Sequence, residues 1–196
     1  MVIDHSNQPT FKMKGIPLKR NYLLPVLLVL FAFGASNVKA QSTVKINILS
    51  PIVKTLNLQY EKVLNESSSF QLGFFYTGAS TGGTALKGFG ITPEYRFYLS
   101  ESEAPAGVYV APFVRYQSFN LKDDDFSNNE ADYSSFGGGL ILGKQWVFKE
   151  KVVLDIFIGP SYSSGSVKVK SGSDTFDTGA FDGFGLRTGL CFGIKI

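Results

Sequence analysis

The last fourteen residues, GFGLRTGLCFGIKI at 183–196, alternate strictly between two kinds of side chain. From Phe184 onward, every second position is apolar except for one threonine. The positions between them hold small or cationic residues: Gly185, Arg187, Gly189, Cys191, Gly193 and Lys195. A period of two predicts a β-strand whose successive side chains point to opposite faces. This strand therefore separates an apolar environment from one that accepts glycine and positive charge.

The same period-two pattern recurs along the chain from residue 41, and no helical period accompanies it. It predicts an all-β fold of eight strands. The predicted strands lie near residues 43–50, 54–64, 68–77, 87–99, 106–119, 133–148, 151–164 and 183–196.

Residues 1–40 have the features of a secretory signal peptide. Four basic residues precede the apolar run at 22–33, and small residues at Val38 and Ala40 predict cleavage after Ala40. The run is too short for a spanning helix, which needs about 20 apolar residues. Met13 offers an alternative start. Residues 41–196 are predicted to form a single barrel domain.

The positive charge of the chain belongs mainly to this leader. Residues 1–40 hold five of the 19 Lys and Arg residues and one of the 16 Asp and Glu residues, which leaves the mature chain at a net charge of −1. This balance predicts no nucleic-acid partner.

The predicted connections alternate in length from the third strand onward. The short ones lie at 65–68, 100–105 and 149–150, and the long polar ones at 77–85, 120–132 and 164–182. Short turns at one end and long loops at the other, with an even strand number, are typical of bacterial outer-membrane barrels. The short connection at 51–53 is the exception, because a long one is expected there.

The polar strand faces are rich in Gly, Asn and Gln, which favours a narrow barrel interior over the water-facing surface of a secreted sandwich or a lipocalin-like barrel. The facing of strand 133–148 stays open. If Lys144 points inward, Trp146 does too; if it points outward, Trp146 and Phe148 join an aromatic girdle.

The alternation places seven charged residues inside the predicted barrel. Because eight strands leave room only for side chains, these charges predict a structural ion-pair network, with a proton or ion path as the alternative. The seven residues are Lys45, Glu61, Glu94, Arg96, Arg115, Asp155 and Arg187.

A second cluster of charges lies in the predicted loop at 120–132. Its carboxylates could hold Ca²⁺ or bridge divalent ions to lipopolysaccharide, but they lack the spacing and the glycine of a calcium loop, so a solvated loop without a metal is expected. The acidic residues are Asp123, Asp124, Asp125, Glu130 and Asp132.

Catalytic chemistry is not expected. The mature chain holds no histidine, which removes the usual base of a serine hydrolase, and no cofactor motif is present. The single cysteine, Cys191, cannot form an internal disulfide and is predicted to be a small interior residue.

Several segments, among them NLQYEKVLNESSSFQLG, PEYRFYL, GVYVAPFVRY, GGGLILGKQW and DIFIGPSY, resemble the small outer-membrane β-barrel proteins of Bacteroidota. Many of these carry a domain of unknown function, and their barrel is similar to the membrane domain of OmpA or to OmpX. The resemblance implies an eight-stranded antiparallel up-and-down transmembrane barrel that the barrel-assembly machinery inserts. It implies no catalytic residues.

The resemblance also implies that the last strand is the insertion signal read by that machinery. Its apolar residues are Leu190, Phe192, Ile194 and Ile196, and Ile196 replaces the usual terminal Phe.

Together these features predict an integral outer-membrane protein with a structural or cell-surface interaction role. Its long loops carry any partner contact, its neighbours are membrane lipid and lipopolysaccharide, and it is expected to be a monomer. The alternative is a narrow conduit for small solutes or ions.

Overall fold

The computed structural model describes residues 41–81, 84–99, 103–123, 129–171 and 182–196. The predicted signal peptide at 1–40 lies outside the described residues. Among the residues described, no helix is long and apolar enough to cross a membrane.

Eight antiparallel strands form one closed sheet. Each strand pairs with the next along the chain, and the last pairs with the first, so the ring has no open seam. The predicted eight-stranded up-and-down barrel is therefore confirmed. The strands are β1 (Ser42–Asn47), β2 (Thr55–Asn65), β3 (Ser68–Thr81), β4 (Thr84–Tyr98), β5 (Gly107–Asp123), β6 (Asn129–Phe148), β7 (Val152–Ser171) and β8 (Gly183–Lys195).

The barrel has two distinct ends. The turn end holds the start of β1, the end of β8 and the connections at 66–67, 99–106 and 149–151. The opposite end, here the loop end, holds the remaining connections. The first of these is a 3₁₀ turn, Ser50–Val53, that joins β1 to β2.

Several strands continue much further toward the loop end than the alternation predicted. Where the structure describes the predicted loops 77–85, 120–132 and 164–182, they are largely strand: β3 and β4 pair up to Thr81 and Thr84, and β5 and β6 up to Asp123 and Asn129. β7 runs to Ser171. The prediction of three long loops was wrong over these residues, because polar strands that pair with each other satisfy their backbone groups as well as apolar ones do.

The two faces of the sheet differ in the way the alternation predicts. On β7, Val153, Asp155 and Phe157 are buried inside, whereas Ile156 and Ile158 are 45% and 52% exposed outside. The barrel thus has a filled interior and an apolar exterior.

Glycines on the inner face make room for large buried side chains. A Cβ atom at Gly143 would come within 2.3 Å of the ring of Tyr109, which is fully buried. One at Gly193 would come within 2.6 Å of Cγ of Lys45. Gly143 on β6 and Gly193 on β8 are therefore required by the side chains that cross the interior.

Candidate functional site

The structure places six of the seven predicted interior charges in the barrel with at most 7% exposure, and Arg115 is half-buried among interior side chains. They come from β1, β2, β4, β5, β7 and β8, so residues far apart in the sequence meet inside one ring. Most of them form the network described next.

Lys45 lies at the centre of this network. Its Nζ atom donates to Oε2 of Glu61 at 2.8 Å, to Oδ2 of Asp155 at 3.0 Å and to Oε1 of Gln145 at 2.7 Å. All four side chains are almost completely shielded from solvent. An ammonium group with three donors is thus satisfied by three acceptors from three other strands.

Arg96 is the second cation of the network. Its Nε atom donates to Oε1 of Glu94 at 2.7 Å, and its Nη1 atom donates to Oδ2 of Asp155 at 2.9 Å. The guanidinium group also lies 4.2 Å from the centre of the Tyr109 ring. Asp155 therefore bridges two cations, Lys45 and Arg96, which compensates its burial.

Neutral side chains complete the hydrogen bonding of the carboxylates. Tyr98 donates to Oε1 of Glu61 at 2.6 Å, and Ser69 donates to the same oxygen. Tyr109 donates to Oδ1 of Asp155 at 2.8 Å. Both oxygens of Glu61 and both oxygens of Asp155 thus accept hydrogen bonds.

The network also includes Gln145, Tyr98, Tyr109 and Ser69, which the sequence does not predict. Gln145 lies on β6, the strand for which the sequence allows either facing. Had Lys144 been placed outside, the alternation would have put Gln145 inside.

Arg187 extends the network toward the loop end. Its Nη1 atom donates to Oε2 of Glu94 at 2.8 Å, and its guanidinium carbon lies between the rings of Phe113 and Phe157 at 4.3 and 4.9 Å. The cation is thus neutralised on one side and stacked against aromatic faces on the other.

Arg115 differs from the other interior cations. Its Nε atom donates to Oγ1 of Thr92 at 3.1 Å, and no carboxylate of a described residue forms an ion pair with it. It lines a cavity of about 40 Å³ together with Gln117 and Ser135. A space of this size accommodates a few water molecules at most.

Aromatic side chains fill the interior beyond Arg115. The rings of Phe75 and Phe119 lie 6.2 Å apart, and Phe119 stacks on Tyr133 at 6.2 Å. The hydroxyl of Tyr133 donates to Oδ1 of Asp182 at 2.8 Å. The interior is therefore packed in layers rather than open, as expected for eight strands.

The described residues hold no group of three or more His, Cys, Asp or Glu side chains arranged to bind a metal ion. Cys191 is fully buried on the inner face of β8. The arrangement supports ion pairing and packing.

The exterior carries an apolar belt that includes residues from all eight strands. These side chains are each about 40% exposed or more, which is unusual for large apolar groups in water. The belt comprises Val44, Leu58, Leu72, Phe74, Ile91, Val114, Leu140, Leu142, Ile156, Ile158, Phe192 and Ile194.

Aromatic residues border the belt at both ends. Tyr76, Phe89, Tyr116, Phe136 and Tyr162 lie toward the loop end, and all five are exposed. Tyr60, Tyr95, Phe97, Trp146 and Phe148 lie toward the turn end.

The structure answers the question about β6. Lys144, Leu142 and Phe148 are exposed on the outside, whereas Ile141 and Gln145 are buried inside. The Nζ atom of Lys144 lies 5.1 Å from the centre of the Trp146 ring. Trp146 and Phe148 therefore belong to the outer surface, with the amine of Lys144 lying over the tryptophan.

The predicted acidic loop is only partly a loop. Asp124 and Asp125 lie outside the described residues, and Asp123 ends β5. Glu130 and Asp132 instead lie on β6, so the loop prediction was wrong for these two residues. Strand pairing of β6 with β5 and β7 accommodates them, because their side chains point outward beside lysines.

Glu130 and Asp132 form a solvent-accessible ion-pair cluster on the outside of the barrel. The Nζ atom of Lys170 lies 2.9 Å from Asp132 and 3.3 Å from Glu130, and that of Lys122 lies 3.5 Å from Glu130. Asn120 donates to both carboxylates at 2.8 and 3.0 Å. Hydrogen bonds from Asn120, followed by those from Lys170, lower the pKa of both carboxyl groups below their ordinary values.

The four residues of the predicted insertion signal lie on one face at the end of the chain. Phe192 pairs with Ile46 and Leu154, and Ile194 pairs with Val44 and Val152. Ile196 follows the last strand residue, and its amide donates to the carbonyl of Ser42 at 2.7 Å. The segment therefore closes the barrel and contributes to the belt.

A family model described as "Protein of unknown function (DUF3575)" matches residues 24–190, which is most of the chain. The chain belongs to the DUF3575 family. No curated protein matches it.

Among solved structures, this DUF3575 member is similar to a major outer membrane protein from Thermus thermophilus. The two chains are 15% identical, with a TM-score of 0.48, over 81% of this chain and 100% of the other. Because the family description names no activity, the function of this DUF3575 member has to be inferred from its own interior and exterior.

Proposed function

We propose that this protein is an integral outer-membrane β-barrel with a structural or cell-surface interaction role. The observation that carries the proposal is the apolar belt on the outside of a barrel that buries six charged side chains in its interior. Water-soluble proteins have the opposite distribution, and a lipid bilayer is the solvent in which this one is stable.

The closed ring supports the same location. Lipid offers no partner to an unpaired strand edge, and pairing between β1 and β8 removes that edge. The aromatic borders of the belt match the two girdles that mark the interfaces of outer-membrane barrels.

The packed interior favours this role over the alternatives. A lipocalin-like binder needs an apolar cavity, yet Lys45, Arg96 and Asp155 cross the centre of the ring. A conduit needs a continuous path, and the ion pairs and aromatic layers occupy it. The proposal therefore includes neither transport nor catalysis.

The surface role is assigned to a strand extension, defined here as residues 118–123, 129–134 and 164–171, which continues past Tyr116, Phe136 and Tyr162. Its outer face carries Lys122, Lys168 and Lys170 beside Glu130 and Asp132, beyond the aromatic border of the belt. Lipopolysaccharide presents phosphates at this level, and cations there attract anionic head groups.

The cell-surface contact can be tested by replacing Lys168 and Lys170 with Gln. The amount of lipopolysaccharide that purifies with the protein should fall severalfold. The matched control, Lys149→Gln and Lys151→Gln at the turn end, should leave it unchanged. Equal loss in both variants would remove the assignment to the extension.

Assembly is proposed to depend on the C-terminal strand, with Leu190, Phe192, Ile194 and Ile196 read by the barrel-assembly machinery. Ile196→Phe restores the usual terminal residue and should increase the amount of assembled protein in the membrane. Ile196→Ser should decrease it. If both variants assemble like the wild type, the terminal residue is not part of the signal.

Membrane location is tested by fractionating cells that express the full chain and by electrophoresis of each fraction with and without boiling. The proposal predicts a band in the outer-membrane fraction whose mobility changes on heating, because a closed barrel resists detergent until it is boiled. A band in the soluble fraction without a heat shift would overturn the proposal.

A further inference from the structure

The connection between β1 and β2, residues 48–54, is rich in apolar residues. Its apolar side chains are strongly exposed: Ile48 by 47%, Leu49 by 45%, Ile52 by 78% and Val53 by 63%. The described connections at 66–67 and 149–151, at the turn end, carry Glu, Ser and Lys instead. An exposed connection of this composition is unfavourable in water.

At least four of the six backbone N–H groups of this connection are hydrogen-bonded, which lowers the cost of placing irregular backbone next to lipid. Pro51 has no N–H to satisfy. The bonds run from Ile48 N to Leu190 O (2.9 Å), from Leu49 N to Asn47 Oδ1 (3.0 Å), from Ile52 N to Leu49 O (3.2 Å) and from Lys54 N to Pro51 O (3.0 Å).

β1 is too short to span the apolar band of a membrane barrel by itself. β1 has only 6 residues. At about 3.4 Å per residue and a tilt of about 40°, it rises roughly 15 Å, whereas the apolar band of such barrels is about 25 Å tall. A gap in the belt would remain above β1 unless the following residues were apolar.

The neighbouring strand is apolar at the same end. β8 continues past its last β1 partner, Asn47, toward the loop end, and carries Leu186 and Phe184 on its outer face. These side chains are 66% and 90% exposed. Leu186 pairs with Pro160 and Phe184 pairs with Tyr162, so the apolar surface beside the short β1 reaches the aromatic border of the belt.

We propose that the connection 48–53 is inserted among the acyl chains of the outer leaflet and completes the apolar belt above β1. Lys54, which is exposed at its end, lies at the level of the phosphate-bearing head groups. This inference rests on the proposed membrane location. It explains why the connection is short and apolar where a long polar loop is expected.

The test uses the full barrel in lipid vesicles, with Cys191→Ala as the background and one new cysteine at a time for a nitroxide spin label. The three positions are Ile52→Cys in the connection, Leu142→Cys in the belt and Ser166→Cys in the extension. Oxygen partitions into lipid and a nickel chelate stays in water, so the ratio of the two collision rates reports the environment of each label.

For the labels at positions 52 and 142, the ratio of the oxygen collision rate to the chelate collision rate should be severalfold higher than for the label at position 166. A label at Ile52 that behaves like Ser166, while Leu142 stays in lipid, would overturn the inference and leave the membrane location intact. So would a label at Ile52 shielded from both reagents, since that indicates cover by protein. If Leu142 is also open to the chelate, the membrane location itself fails.

A second measurement avoids the cysteine background. In Trp146→Phe protein, Ile52→Trp should be quenched by vesicles of phosphatidylcholine brominated on its acyl chains, and Ser166→Trp should not. Equal quenching of the two variants would contradict the inference.

Discussion

The Nζ atom of Lys45 on β1 lies 3.0 Å from Oδ2 of Asp155 on β7, although β8 separates these strands in the sheet. Such a pair forms only across the interior of a closed barrel. Both side chains are shielded from solvent, so water cannot solvate either charge if its partner is removed. The pair therefore links barrel closure to the burial of charge.

Lys45→Met should destabilise the barrel by about 3–5 kcal/mol, because breaking a buried pair leaves an uncompensated charge. Glu61 and Asp155 would then share Arg96 alone. The measurement is urea unfolding in lipid vesicles, followed by the emission of Trp146. Lys144→Met, the same change on the outer face, is the control and should cost less than about 1 kcal/mol. Equal costs would contradict the interior network.

Arg96 and Arg115 should respond differently to the same substitution. Arg96→Met removes a cation that contacts Glu94 and Asp155, so it should cost about 3–5 kcal/mol. Arg115→Met removes a cation without an ion pair to a described residue, and its cost should not exceed about 1 kcal/mol. Unfolding by urea measures both. A larger loss for Arg115→Met would mean that this cation has an essential partner.

A charge in the belt should be far more harmful than the same charge in the strand extension. Ile158 pairs with Leu142 in the belt. Ile158→Arg should therefore lower the free energy of unfolding in a bilayer by about 2–4 kcal/mol. Ser166→Arg, on the outer face of the same strand, should have little effect. Refolding yield and urea stability in vesicles test this pair. Similar tolerance at both positions would indicate that the belt is not in lipid.

The cluster of Glu130, Asp132 and Lys170 should make the strand extension sensitive to acid. The folded-state pKa values of the carboxyl groups are lowered from 4.5 and 3.8, so their stabilisation is complete above those values and is lost as the pH falls below them. The pKa of Lys170 is raised from 10.5, mainly by its hydrogen bond to Asp132, so its contribution persists to alkaline pH.

Hydrogen exchange measures this effect locally. After correction for the intrinsic rate, amides of the extension should lose protection between about pH 6 and about pH 3, whereas those of the belt strands should not. Lys170→Met should reduce the difference in amide protection between about pH 6 and about pH 3. Added salt should reduce it too, because salt screens the ion pairs. Acid sensitivity that persists unchanged in Lys170→Met would exclude the cluster as its cause.

Much of the barrel follows from the sequence because period two assigns each residue to one face. Arg187 and Cys191 are inside and Phe192 and Ile194 are outside, as the alternation of the last strand requires. The pairing of charges does not follow, since the partners of Lys45 lie on strands up to 110 positions away along the chain. Their meeting depends on the register of the whole ring.

The strand extension shows a second limit. The segment VKVKS at 167–171 alternates Val167 and Val169 with Lys168 and Lys170, yet its polar neighbours favoured a loop prediction. Strands outside the apolar belt lack the apolar face that identifies the others, so only pairing with a neighbouring strand distinguishes them from loops.

The single tryptophan, Trp146 on the outer face of β6, gives the most direct test of the membrane location. The protein is reconstituted in vesicles of phosphatidylcholine with bromine atoms at defined depths of the acyl chain. Because Trp146 borders the belt, its emission should be strongly quenched, most by bromines near the interface. Emission that is unaffected by brominated lipid would mean that the apolar surface does not face the bilayer and that the protein is not a membrane barrel.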